Sequence, residues 1–424
     1  MDYKKIETGS YNLHLIHTNR FKTITIRICL KDEIKKEEIT LRNFLSSFLT
    51  YSTNTYQTKR DIVLHAQDLY AANIYTKSYR AGNYNMINFY LSTLAEKFTE
   101  EGMLEESIKF LADIIFNPNF NNEGKMMDAY NFLYHNLETE MKGIKENPTL
   151  YSAVRMLEVM DKDMPYSYRE YGYLEDLEKI TPAELKDYYK KIINNSLVDI
   201  YVIGEFDDDN IINLIDKYIV FETFKRPKKS QIINHKTLPK RIKIEHEETD
   251  GNQSKLTIGC KIGDLTEYEL NYALTIYNLV LGGNSEAKLF RIIREEHSLA
   301  YYIYSSLYKL DHLMLIKAGI SRENFDKTLK LVKKLMKEME NGNFTDKDIE
   351  FAKNSYLSML KEVEDSQNAI IETYVAKDLL NLGDIEERKK MIMNVTKEEI
   401  VNVAKKVKMD TVFLLEGASE DEGN

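Results

Sequence analysis

One short stretch of the chain holds several side chains that could take part in chemistry. Leu289–Ser305, LFRIIREEHSLAYYIYS, contains two arginines, two glutamates, a histidine and three tyrosines. Arg294 and Tyr301 form the most suggestive pair, because a guanidinium and a phenol are both hydrogen-bond donors. Placed side by side, they could hold a carbonyl oxygen and stabilise the oxyanion that forms when that carbonyl is attacked. The alternative is that Arg294 is an ordinary surface side chain and Tyr301 an ordinary core side chain.

The rest of a catalytic site is not evident around this pair. A zinc motif in reverse order would need a histidine at position 293 before Glu296 and His297, and Ile293 is there. The segment Gly282–Lys288, GGNSEAK, has neither the length nor the ending of a phosphate-binding loop. The remaining histidines are scattered, and no Ser/His/Asp arrangement stands out. An independent enzyme with an unrecognised site remains a minor possibility.

The chain contains two related halves. The segment that begins at Ile180, ITPAELKDYYKKII, is similar to VTKEEIVNVAKKVK, which begins at Val395, and the offset between them is 215 residues. Each runs into a strand-like segment that ends in glycine, VDIYVIG or TVFLLEG. The words NPNF and NGNF, at Asn117 and Asn341, form another pair with an offset of 224 residues. Repetition in the same order predicts an internal duplication.

The order of elements in each half predicts an α+β fold. Each half reads as strands, a helix, more strands, two or three helices and a closing strand, which is typical of a mainly antiparallel sheet covered on one face by helices. The charged, proline-containing segment 224–241 interrupts this pattern and is interpreted as a linker. The predicted domains are therefore 1–223 and 242–424.

Composition excludes several classes of protein. The 424 residues carry a net charge of -10, so nothing attracts the chain as a whole to nucleic acid or to an anionic membrane. The N-terminal stretch has no apolar core of signal-peptide length, and the apolar runs are too short to span a bilayer. Cys29 and Cys260 both lie in apolar, strand-like runs and are expected to be buried, reduced thiols. A cytoplasmic globular protein is predicted.

The order of elements and several words resemble the pitrilysin/insulinase family of zinc peptidases. The closest likeness is to its short branch, in which two subunits close around one chamber, and within it to bacterial proteins associated with modification of elongation factor P. The family shows a two-glycine turn, a helix ending in an arginine, and a tyrosine seven residues later that begins a strand. Here these are Leu281–Gly283, Arg294 and Tyr301. The resemblance implies duplicated domains of the mitochondrial-processing-peptidase-like metallohydrolase type.

The zinc motif of that family is missing. Active members carry His-x-x-Glu-His on an early helix, which provides two ligands and the base that activates water. The corresponding helix, EITLRNFLSSFLTYST, has Asn43, Ser46 and Ser47 at those three positions. Glu140 is the best match for the further glutamate ligand of the family, although a solvated or capping charge is the simpler interpretation. We expect no metal site and no catalytic residue in this chain.

These features together suggest a division of labour between two chains. The resemblance implies a non-catalytic, substrate-binding subunit in which Arg294 and Tyr301 contact a peptide substrate. A paralogous peptidase subunit would then bind the zinc and complete a heterodimer. The alternative is a peptidase-derived scaffold or binding protein with no role in proteolysis. A neighbouring gene for a paralogue with an intact zinc motif would favour the first interpretation.

Overall fold

The computed structural model describes residues 2–222, 232–233, 235 and 237–418. The chain forms two compact units. The first consists of Met1–Lys142 and Arg169–Lys229, and the second of Gly143–Tyr168 and Ser230–Asn424. The predicted linker, 224–241, lies largely outside the described residues.

Secondary structure in the first part of the chain alternates between strands and helices. The strands are β1 (Asp2–Glu7), β2 (Asn12–His17), β3 (Thr23–Glu33), β4 (Asn73–Ala81), β5 (Tyr84–Leu94) and β6 (Leu197–Gly204). The helices are α1 (Ile39–Leu49), α2 (Lys59–Asp68), α3 (Met103–Phe116), α4 (Glu123–Lys142), α5 (Pro148–Met160), α6 (Leu174–Leu177), α7 (Pro182–Asn195) and α8 (Asp208–Tyr218).

The first unit is built on one mixed sheet with the strand order β1-β2-β6-β3-β5-β4. The pair β2 and β6 is parallel, whereas the other neighbours are antiparallel. Alternate residues of β3, including Ile24, Ile26 and Ile28, are fully buried in the core shared with the helices. This agrees with the two-residue period of a strand, which directs one set of side chains to each face.

The second unit contains the remaining elements. Its strands are β7 (Lys243–Glu248), β8 (Ser254–Ile262), β9 (Tyr302–Tyr308), β10 (Leu313–Ile320) and β11 (Val407–Glu416). Its further helices are α9 (Leu274–Leu281), α10 (Phe325–Glu340), α11 (Asp346–Val363), α12 (Gln367–Leu380), α13 (Ile385–Asn394) and α14 (Lys397–Ala404), with π-helical segments at Glu269–Ala273 and Phe290–Glu296. The sheet has the order β7-β11-β8-β10-β9, so β9 is an edge strand.

Helix α5 belongs to the second unit although it precedes α6 to α8 in the chain. It packs on β8 and β11, on the face opposite the main helical layer, together with Leu315 and Phe413. Gly259 permits this approach, because a β-carbon there would lie 2.6 Å from the Met156 sulfur. Residues 143–168 therefore belong to the second unit and not to the predicted domain 1–223. The sheet of the second unit has helices on both of its faces.

The two sheets repeat one strand order. In each sheet a pair of parallel strands, β2 and β6 or β7 and β11, is followed by three strands that pair antiparallel. The first sheet has one further strand, β1, at its edge. The paired helices α7 and α14 both start with a capping box, formed by Thr181 with Glu184 and by Thr396 with Glu399. This repetition agrees with the predicted duplication. Among the described helices, none is long and apolar enough to cross a membrane.

Candidate functional site

The segment that carries Arg294 is helical, as the resemblance implies, and its backbone is a π-helix over Phe290–Glu296. Its inner face is anchored by the fully buried side chains of Leu289 and Ile293. The helix ends abruptly, because Ser298 adopts a left-handed conformation with φ 51° and the Leu299 N–H donates to the Ile293 carbonyl at 3.0 Å. This turn directs the chain into the edge strand β9.

Arg294 lies in the last turn of this helix and is exposed. Its guanidinium carbon is 4.6 Å from the centre of the Phe290 ring, and its Nε lies 3.5 Å from a Glu295 carboxylate oxygen. Phe290 is four residues earlier, so the two side chains share one face of the helix. The aromatic ring supports the guanidinium and limits the directions in which it can point.

Tyr301 is 57% exposed and lies immediately before β9. Its backbone N–H donates to the Gly319 carbonyl at 2.9 Å, which fixes the main chain against β10. The interpretation of Tyr301 as a core side chain is therefore wrong. Its side chain stands in solvent at the end of an edge strand, where a ligand could reach it.

Arg294 and Tyr301 line the same cavity, which has a volume of about 420 Å³. The complete lining is Arg294, Glu295, Ser298, Leu299, Ala300, Tyr301, Ser321 and Asn324. The cavity thus combines a cation, a phenol and several small polar groups on a shallow surface. Such a set of donors can hold a carbonyl or carboxylate group.

The two-glycine turn helps to position this cavity. The Gly282 carbonyl accepts a hydrogen bond from the Ser305 N–H at 2.8 Å, which joins the turn to the outer side of β9. A β-carbon at Gly282 would lie 2.6 Å from both the Ser305 hydroxyl oxygen and a Leu289 methyl carbon. Only glycine allows this approach. The turn and the π-helix are therefore packed as one support beneath β9.

The second arginine of the segment has a different environment. Arg291 forms an ion pair with Asp348, with a closest distance of 3.3 Å, at the start of α11. Both side chains line a separate cavity of about 210 Å³. Two arginines three residues apart thus contact different surfaces, and Arg294 alone is associated with Tyr301.

The three positions that the resemblance aligns with the family's zinc motif lie on α1. Asn43 is partly exposed, Ser46 is buried and Ser47 is exposed. The Asn43 amide donates to the Glu170 carbonyl. Helix α1 is held in place by Arg42, which is 1% exposed and donates to the Asp32 carboxylate at 2.6 Å.

A short segment of the same unit covers this part of α1. The Thr40 hydroxyl accepts a hydrogen bond from the Tyr173 N–H at 3.0 Å, and Gly172, with φ +91°, packs directly against Thr40. Glu140 lies close by on α4. Burial raises the pKa of Tyr171, and the nearby carboxylates of Glu170 and Glu140 raise that pKa further. The structure thus brings Glu140 to the same segment that Asn43 contacts.

The residues at these positions do not fit the zinc ion that the resemblance implies. An amide and two hydroxyls are weak zinc ligands, and none of them can act as a general base at neutral pH. The Asn43 amide is already committed to the Glu170 carbonyl, and Ser46 is enclosed in packed structure. Glu140 would remain as a single carboxylate. At these positions α1 contributes packing and hydrogen bonds and offers no set of zinc ligands.

Several residues around both sites were not identified from the sequence. Phe290 could have been, because its spacing of four from Arg294 places both on one face of a helix. Ser321 and Asn324 reach the cavity only through the β10–α10 connection, and nothing in their local sequence indicates this. Arg42 stands directly beside Asn43, but its burial depends on Asp32 from β3.

Comparison with known proteins gives consistent matches along the chain. Residues 179–356 match the family model described as the peptidase M16 inactive domain. The chain is 27% identical over 420 residues to the probable inactive metalloprotease YmfF of Bacillus subtilis (strain 168), with 97% of each chain covered. An uncharacterized zinc protease of Rickettsia felis is 23% identical over 309 residues, with 72% of each chain covered.

Two solved structures match nearly the whole chain. A conserved protein from Enterococcus faecalis V583 has a TM-score of 0.90 at 25% identity, covering 99% of this chain and 100% of that one. A peptidase M16 inactive domain from Pseudomonas fluorescens has a TM-score of 0.80 at 17% identity and supports the fold, with 99% of each chain covered.

Proposed function

We propose that this chain, as a non-catalytic homologue of the M16 peptidases of the pitrilysin/insulinase type, is the substrate-binding subunit of a heterodimeric zinc peptidase. Its partner would be a paralogous subunit with an intact His-x-x-Glu-His motif. The partner would bind the zinc ion and supply the general base, whereas this chain would contact the peptide.

One observation supports the proposal: the region around Asn43 on α1 is covered and lacks zinc ligands, whereas the region around Arg294 is accessible. The residues that the resemblance aligns with the zinc motif, Asn43, Ser46 and Ser47, are poor zinc ligands, and α1 is covered there by Glu170 and Gly172. Arg294 and Tyr301, by contrast, are accessible and line one cavity. The exposed arginine and tyrosine on one supported surface are available to contact a substrate, and this supports the proposal.

The roles of the two side chains follow from their chemistry. The Arg294 guanidinium and the Tyr301 hydroxyl would donate to the carbonyl oxygen of the peptide bond that is cleaved. Zinc in the partner would activate water and polarise that carbonyl. As the oxygen gains negative charge, hydrogen bonds from Arg294 and Tyr301 strengthen, and this lowers the barrier. Phe290 would act as a positioning residue by holding the guanidinium.

A scaffold or binding protein without a role in proteolysis is the second candidate. The covering of α1 by Glu170, Gly172 and Tyr173 favours it, because these contacts stabilise the fold and need no catalytic partner. Under this alternative, Arg294 and Tyr301 would contact a protein partner or solvent only.

Purification of the native complex distinguishes the two candidates. The tagged chain would be isolated from its own cells under native conditions, and bound proteins would be identified by mass spectrometry with metal analysis of the same fraction. We expect one stoichiometric paralogue with the zinc motif and about one zinc per heterodimer. Isolation of the chain without a paralogue, and without peptidase activity in the fraction, would favour the scaffold.

A further inference from the structure

Around the cavity beside Arg294, more side chains can donate a hydrogen bond than can only accept one. The Arg294 guanidinium can only donate, whereas the Tyr301 phenol, two serine hydroxyls and the Asn324 amide can donate as well as accept. Among the described residues around this cavity, Glu295 provides the one carboxylate. A negatively charged ligand group that accepts several hydrogen bonds therefore suits this lining better than a neutral group does.

The Arg294–Glu295 contact is weak enough to be replaced. Its closest distance is 3.5 Å, and the side chains are 43% and 57% exposed. Exposed ion pairs of this kind contribute little, because water screens both charges. The guanidinium, held on the Phe290 ring, can therefore offer its planar edge to an incoming carboxylate.

The opposite wall of the cavity adds two polar side chains. Ser321 and Asn324 lie in the connection between β10 and α10, and neither makes a side-chain capping hydrogen bond within the described structure. The Ser321 hydroxyl and the Asn324 amide are thus not used to cap a helix, and both residues line the cavity. The 16-residue helix that follows also gives this wall a modest positive potential.

We propose that this cavity binds the free carboxylate at the C-terminus of a peptide. The inference rests on the proposed function, because it takes a peptide as the ligand, and it adds the chemical group that is recognised. Arg294 would bind the two carboxylate oxygens through parallel hydrogen bonds, and Tyr301 would donate a further one. Charge-assisted hydrogen bonds of this type are about twice as strong as neutral ones.

A consequence concerns the product of cleavage. Hydrolysis adds water across the peptide bond, so the C–N bond breaks and the fragments leave with a carboxylate and an ammonium group. The N-terminal fragment would then carry its new carboxylate where Arg294 and Tyr301 had held the carbonyl. This product should bind more tightly than the uncleaved peptide, and peptide acids should inhibit the complex more strongly than peptide amides.

The test compares two ligands that differ in one group. A fluorescein-labelled hexapeptide of mixed sequence is made as the free acid and as the C-terminal amide, and both are titrated against the purified full chain by fluorescence anisotropy. We expect the acid to bind about 10-fold more tightly than the amide, because an ionic hydrogen-bond pair replaces a neutral one. Arg294→Gln should remove the difference, and Arg291→Gln should retain it.

The outcomes separate this inference from the proposed function. Equal affinity for acid and amide, with both lost in Arg294→Gln, would overturn the carboxylate inference and leave peptide binding at this cavity intact. A difference that persists in Arg294→Gln would place carboxylate recognition elsewhere and overturn the inference. No binding of either ligand by the folded chain would contradict both.

Discussion

Gly172 packs so closely on Thr40 that a β-carbon at Gly172 would lie 2.2 Å from the Thr40 hydroxyl oxygen. Thr40 is about one helical turn before Asn43 on α1. Gly172→Ala should therefore destabilise the first unit by about 1–3 kcal/mol beyond the cost of its left-handed backbone, because the added methyl group forces α1 away. Chemical denaturation monitored by circular dichroism measures this change.

Gly102 provides a matched control for that substitution. Its φ is +90°, close to the +91° of Gly172, but no described atom lies within 4 Å of a β-carbon built there. Gly102→Ala should cost only the backbone strain, about 1 kcal/mol. Equal losses of stability in the two variants would show that the contact between Gly172 and Thr40 is not tight.

The zinc site should be recoverable from two substitutions. Histidine at position 43 could donate through Nδ1 to the Glu170 carbonyl that now accepts from Asn43, leaving Nε2 for a metal. Asn43→His with Ser47→His would then place two ligands one turn apart, near Glu140. We expect about one zinc per chain by metal analysis after dialysis, and none in the unmodified chain.

The same double variant with Glu140→Gln serves as its control. If Glu140 is the remnant of a ligand, the amide should reduce zinc affinity by at least about 10-fold. A folded double variant that takes up no zinc would show that Asn43 and Ser47 do not correspond to the family's histidines. It would leave the fold unaffected.

Stability of the second unit should depend on the charge of Lys309. Burial, with a further contribution from Arg388, lowers the pKa of Lys309 to about 7, and its amine donates to the Asn271 carbonyl at 2.9 Å. The unfolded chain binds this proton up to a pKa of about 10.4, so the folded state holds fewer protons between these values. Unfolding free energy should therefore rise with pH across that window.

Comparison with Lys309→Met isolates this contribution. Between pH 7.5 and 9.5 the unmodified chain should gain about 1–2 kcal/mol of unfolding free energy relative to the variant. Denaturant titrations at both pH values measure the difference. Parallel pH dependence of the two proteins would mean that Lys309 keeps an ordinary pKa in the folded chain.

Much of the fold was accessible from the sequence because the chain repeats itself. The capping boxes at Thr181 and Thr396 and the strands that follow them recur in both halves, and local sequence determines each. The α+β fold class and the resemblance to the pitrilysin/insulinase family are confirmed. The resemblance also singled out Arg294 and Tyr301, and both side chains line one cavity.

The placement of α5 was missed because it is a tertiary property. Its sequence predicts a helix, but which sheet it covers depends on the apolar face formed by residues such as Leu313, Leu315 and Phe413. A signal was present in β10, whose unbroken run Leu313–Ile316 is typical of a strand buried on both faces. The contact between Gly172 and α1 could not be predicted for the same reason, because Gly172 and Thr40 are 132 positions apart in the sequence.

Under the proposed function, Arg294 and Tyr301 act on a substrate that the partner's zinc site cleaves. The most direct measurement of this role is the steady-state peptidase activity of the reconstituted heterodimer with Arg294→Gln or Tyr301→Phe, with Arg291→Gln as the control. Each of the first two variants should lower kcat/KM about 10²-fold through kcat, with zinc content and heterodimer formation unchanged. Full activity of both variants, in a complex confirmed to be heterodimeric, would contradict the account.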